Sequence, residues 1–251
     1  QKYLIDIKYN ITSDLTLDLT ANTDFAQVEA DEQQLNLTRF SIDFPEKRQF
    51  FQQRSGLFDF SFGRTKLFYS RRIGLSDGSP IPIIGGARLT GRIGDLDVGV
   101  LNIQTQSYEN FEAENFGVIR LKKQILNPKS YVGSIYTHRL GLDGTQNMVL
   151  GFDIDYNVKN EGFIQFKIAQ TIDNTTGYNQ SLLGSTGFIS RLTVDRRSSL
   201  GWFYRFMFNY TGEDFEPGIG FVRTTNTADY YASTGYGWIA PESSAIERHR
   251  V

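Results

Sequence analysis

The groups best equipped for chemistry in this chain are carboxylates and guanidiniums, and many of them crowd into one stretch. Asp24, Glu29, Asp31 and Glu32 lie close together and offer the oxygen ligands that a hard cation such as calcium takes. Asp24, Glu29 and Asp31 are therefore weak candidates for a metal site. Their spacing does not match a helix-loop-helix calcium loop. A solvated loop, or pairing with nearby Arg39, Lys47 and Arg48, is the favoured reading. Downstream, Pro45-Glu46-Lys47-Arg48 runs into Phe50-Phe51, and Ser70-Arg71-Arg72 follows. Guanidinium groups grip carboxylates or phosphates at two points, so these arginines could bind an anionic ligand or line a passage. The preferred reading is an ion-pair network drawn from Asp24, Glu29, Asp31, Arg39, Glu46, Lys47, Arg48, Arg71 and Arg72, which ties residues 22–53 to the elements around them.

Other chemistry has less support. The absence of cysteine removes disulfides, thiol catalysis and thiolate metal sites. His138 and His249 are the only histidines, and neither sits in a metal or nucleophile motif. Asp153 and Asp155 share one side of a strand, whereas a glycosidase needs two carboxylates at a defined separation across a cleft. Gly85-Gly86, Gly91 and Gly94 lack the following helix and Lys-Ser/Thr pair of a phosphate-cradling loop; bulges, bends or close backbone approach suit them better. No catalytic residue is assigned, and calcium is the one cofactor entertained.

The elements that must position these residues are strands. Period-two alternation recurs along the chain: Tyr3, Ile5, Ile7, Tyr9 and Ile11; Met148, Leu150, Phe152, Ile154, Tyr156 and Val158; Leu200, Trp202, Tyr204, Phe206, Phe208 and Tyr210. Shorter stretches repeat it, among them Leu15, Leu17 and Leu19, and Phe58, Phe60 and Phe62. The longer runs have the length of about 9–11 residues that a tilted membrane strand needs. Mean hydropathy is only −0.34, as expected where one face of each strand is apolar and the other polar. No apolar run approaches the roughly 20 residues of a spanning helix. Aromatic residues at strand ends, Tyr3, Tyr156, Trp202, Tyr210 and Trp238, stand where interfacial girdles form. The expected fold is all-β: a transmembrane antiparallel up-and-down β-barrel of about 12 to 14 strands, incomplete within residues 1–251, with the irregular charged segment 22–53 plugging or capping it. A soluble sandwich or propeller is the competing architecture. The 26 basic and 28 acidic residues nearly cancel, so no whole-chain field draws nucleic acid, which is not expected as a partner.

Several blocks carry a resemblance. NTDFAQVEADEQQLNLTRFSIDFPEKRQFF (22–51), LFYSRRIG (67–74), PIIGGARLTGRIG (82–94) and EDFEPGIGFVRTTNTADYYASTGYGW (213–238) resemble, in order, the shared motifs of an uncharacterised outer-membrane β-barrel family of Bacteroidota. Its members usually follow a domain that resembles a family 9 carbohydrate-binding module, and some carry loose labels as membrane-associated hydrolases. The resemblance implies a bacterial outer-membrane location, with lipid and lipopolysaccharide as surroundings and other envelope proteins or glycans as further partners. The final IERHRV (246–251) does not look like a closing strand, so further strands are expected beyond residue 251. The functional expectation is a non-enzymatic outer-membrane component, either a solute passage or a scaffold subunit of an envelope complex. A membrane-anchored hydrolase or glycan-binding protein is the alternative.

Overall fold

The computed structural model describes residues 5–22, 44–76, 79–108, 111–159, 161–174, 187–198, 200–239 and 248–250. In chain order these form β1 (Ile5–Asn10), β2 (Leu15–Ala21), the single-turn helix α1 (Gln49–Gln52), and the short strands β3 (Ser61–Phe62), β4 (Thr65–Lys66), β5 (Leu75–Ser76) and β6 (Ser79–Pro80). The long strands follow: β7 (Ile83–Ile93), β8 (Leu96–Thr105), β9 (Glu114–Gln124), β10 (Tyr131–Gly141), β11 (Gln146–Val158), β12 (Gly162–Asp173), β13 (Phe188–Arg196), β14 (Gly201–Thr211) and β15 (Thr227–Ile239), then β16 (Arg248–Arg250).

Twelve strands make one sheet in the order β1-β2-β7-β8-β9-β10-β11-β12-β13-β14-β15-β16. Every neighbouring pair is antiparallel, and chain neighbours are sheet neighbours except where β2 meets β7. This is the up-and-down meander expected from the alternation. Closure is a different matter: β1 and β16 end the order, and no ladder joins them among the described residues. The sheet is open, so the sequence expectation holds at the level of an all-β antiparallel meander and not of a closed barrel.

The alternation sorts side chains in an unusual sense. Directly paired residues share a face, so the registers assign each side chain to one of two surfaces. On β11, Leu150, Phe152, Ile154 and Tyr156 are exposed, while Asn147, Val149 and Asp153 on the opposite face are buried. The same holds for Ile164 and Phe166 on β12 and for Phe206 and Phe208 on β14. One face of the sheet is thus apolar and open. The other carries most of the charged residues and also holds the core.

That core is built around the excursion between β2 and β7. Phe51, Phe58, Phe60, Phe62, Leu67 and Ile73 are buried in one cluster with Ile83, Leu101, Phe116, Ile135, Val149, Ala169 and Ile189 from seven successive strands, β7 to β13. Seven flat strands would span roughly 29 Å at about 4.8 Å per gap. The chain from Phe51 to Ile73 is long enough to cross all of them on one face. Gly151 on β11 makes room for it: a Cβ there would lie 3.0 Å from Leu67 Cδ1. The stretch 212–226 between β14 and β15 completes the packing with Phe215, Ile219 and Phe221, and Lys66 and Phe221 pair as an isolated bridge.

Candidate functional site

The candidate site is the inner segment, residues 44–74, and the polar wall that holds it. Its own organiser is Arg48, whose side chain is 3% exposed. Arg48 donates to Glu46 at 2.7 and 2.9 Å, to the Ser70 carbonyl at 2.6 Å and to the Ile73 carbonyl at 2.7 Å. The Ser70 hydroxyl adds a 2.5 Å bond to Glu46. Burial pushes the Glu46 carboxyl up, but the Arg48 charge and the hydrogen bonds from Arg48 and Ser70 outweigh it and hold the group below the ordinary carboxylate range. Arg71, also buried, donates to the Pro45 carbonyl at 3.1 Å and lies over the Phe44 ring. The two arms of the segment, 44–53 and 70–73, are thereby stapled to each other.

The wall supplies the second set of contacts. Arg88 on β7 forms an ion pair with Asp18 on β2 at 2.7 Å, donates to the Gln53 carbonyl at 3.0 Å and to the Phe50 carbonyl, and stacks on the Phe50 ring. It thus satisfies carbonyls that the last turn of α1 leaves without helical partners. Deeper along the segment, Phe60 lies 4.9 Å from the Arg120 guanidinium and 5.4 Å from Lys167 Nζ. Arg120 on β9 meets Asp153 on β11 in two parallel 2.7 Å bonds, with both side chains 1% exposed. Lys167 on β12 donates to the Ser61 carbonyl at 3.1 Å.

Of the residues expected in the ion-pair network, Glu46, Arg48 and Arg71 come together here. Lys47 is exposed. Arg72 turns away, donates to the Gly220 carbonyl at 3.3 Å, and lines a cavity of about 470 Å³ with Glu112, Glu114, Arg139, Asp143 and Glu216. Asp24, Glu29, Asp31 and Arg39 lie outside the described residues. Among the described residues no group of histidines and carboxylates is arranged to hold a metal ion. Asp18, Arg88, Arg120 and Asp153 were not singled out for this role from sequence, because their partners are fixed only by strand register; alternating charges on otherwise apolar strands were the available signal. The arrangement binds and immobilises. Its chemistry is that of ion pairs, cation–π contacts and carbonyl capping.

The fold and site define an all-β protein whose antiparallel sheet packs one face against a re-entrant segment of its own chain. Residues 2–82, which take in β1, β2 and the whole inner segment, match a family described only as a domain of unknown function (DUF5916). The blocks at 22–51 and 67–74 fall inside that match. No curated protein matches the chain, and no solved structure does.

Proposed function

We propose that the chain forms the wall and plug of a non-enzymatic outer-membrane β-barrel. The observation that carries the reading is the polarity of the exposed sheet face. Among the described residues of the strands, the charged side chains on that face are Lys123 and Arg196, both near strand ends; the rest is mainly Ile, Leu, Val, Phe, Tyr and Trp, with Met148, His138 and a few small or amide residues. A water-facing sheet alternates the other way, apolar inward and polar outward. A lipid-facing one shows this pattern, with charge confined to the lumen and the interfaces.

Aromatic clusters support the same reading. Trp202, Tyr236 and Trp238 stack near one end of β14 and β15, with ring centroids 5.6 and 6.2 Å apart. Phe188 and Tyr210 meet at 4.7 Å at the other end. From Trp202 to Tyr210 the strand covers roughly 26 Å, about 20 Å along the axis at the usual tilt, close to the band of about 25 Å between aromatic girdles. Outer-membrane lipid and lipopolysaccharide are then the partners of this face. The inner segment, hydrogen-bonded to β7 and β12 and packed against the strands between them, favours a closed component, a scaffold or a gated passage, over an open pore.

Expression in a Gram-negative host, followed by density-gradient separation of the two membranes, tests the location. The protein should sediment with the outer membrane and resist carbonate extraction. Recovery in the soluble fraction would overturn the reading. In planar bilayers the wild type should conduct rarely, and a steady open conductance would refute the closed state.

A further inference from the structure

We propose that the inner face of β13 and β14 carries a binding site for a small, multiply charged oxyanion, with Arg191 and Arg205 as its principal donors. Other inward guanidiniums have a carboxylate: Arg88 has Asp18, Arg92 has Asp97, Arg120 has Asp153 and Arg139 has Glu114. Arg191 has none. Its polar contacts are the Thr193 hydroxyl at 3.5 Å and Met207 Sδ at 2.9 Å. The carboxylate next along its face, Asp195, is taken by Arg197 at 3.0 Å and Arg205 at 3.3 Å.

The register sharpens the imbalance. Arg191 stands directly opposite Lys167 on β12, and like charges in that position repel. Asp153, across from Lys167 on its other side, is committed to Arg120. Arg191, Arg197 and Arg205 line one cavity of about 430 Å³, with Asp195 as the one carboxylate among the described lining residues. Three positive charges against one negative leave that cavity a formal +2. The volume is in the range of small-ligand pockets, and two planar guanidiniums suit the two-point grip of phosphate or carboxylate oxygens. The β3–β4 turn approaches the site at Arg191: a Cβ at Gly63 would lie 3.1 Å from its Nη1.

The site rests on the geometry of the inner face and is independent of where the protein resides, so it is tested on the detergent-purified chain. Titration with inorganic pyrophosphate, followed calorimetrically, should show saturable binding that weakens steeply with added salt, whereas sucrose should show none. Arg205→Gln, at a side chain 54% exposed, should weaken binding about tenfold without changing the thermal midpoint, as loss of a charge-assisted contact does. Arg191→Gln should do at least as much, and Arg191→Lys should recover part of it. No saturable binding, or equal affinity in wild type and both glutamine variants, overturns the proposal.

Discussion

At the scale of single residues, the fixed point of the interior is the Arg120–Asp153 pair. It bridges β9 and β11 over the top of β10, and the residue beneath it is Gly133. A Cβ at that position would sit 2.5 Å from Asp153 Oδ1 and 2.6 Å from Arg120 Nη1. Removing one partner of a buried pair strands the other charge and costs about 3–5 kcal/mol. We expect Asp153→Asn to lose that order of stability in urea titrations. Gly133→Ala should lose a comparable amount by forcing the pair apart, and adding it to Asp153→Asn should cost little more. Full additivity would show that the alanine acts elsewhere. Glu46 makes a pH prediction. Its folded pKa is depressed, so its contribution is fully present above the unfolded value of about 4.3 and is lost as pH falls through the lower folded value. Proteolysis of the segment 44–53 should therefore accelerate on acidification below about pH 4; in Glu46→Gln the segment should already be labile at neutral pH, with the acid step gone. The Glu46–Arg48 pairing was legible in sequence because the two are near neighbours. Arg120 and Asp153 are brought together only by register, which alternation alone does not number.

At the scale of elements, the long strands were readable because both faces of each carry a consistent residue class. The inner segment was only half readable. Of the expected segment 22–53, residues 23–43 lie outside the described residues; 44–53 pack together with the chain that continues through 74, past Phe58, Phe60 and Phe62. Those three alternate like a wall strand, yet only Ser61 and Phe62 are in β-structure there, and all three rings are buried within the fold. A phenylalanine at every second position signals one apolar side, and whether that side meets lipid or a protein core depends on contacts that no local pattern contains. Phe60, 1% exposed and placed against both Arg120 and Lys167, is where the segment is most firmly seated. Phe60→Ala should cost about 3–5 kcal/mol. Hydrogen exchange should locate the loss: the amides of Lys66, Leu67 and Tyr69, bonded to Phe221, Phe60 and Ile219 carbonyls, should lose protection first, while the β10–β11 ladder keeps its own. Uniform loss across both would mean that segment and wall unfold as one unit.

At the scale of the whole molecule, the question is which solvent meets the apolar face, and substitution by arginine separates the answers. Phe152 and Val158 both point outward from β11, the first near mid-strand and the second at its end. Against lipid, a charge at mid-depth costs about 2–4 kcal/mol and one near the interface about 0–1. Against water, surface substitutions usually stay within about 0.5 kcal/mol. Phe152→Arg should therefore be destabilising by a few kcal/mol in lipid vesicles and Val158→Arg nearly silent, a depth profile that burial in a protein core would not produce because both side chains are exposed in the folded chain. The open sheet order adds a condition. β1 and β16 each leave one edge without a partner among the described residues, and a bilayer does not tolerate unpaired backbone N–H and C=O groups. If the face meets lipid, those edges must be paired in the membrane-inserted protein, by each other or by further strands. Their amides should then exchange slowly in vesicles, and fast exchange at β1 alongside a flat arginine profile would place the sheet in water.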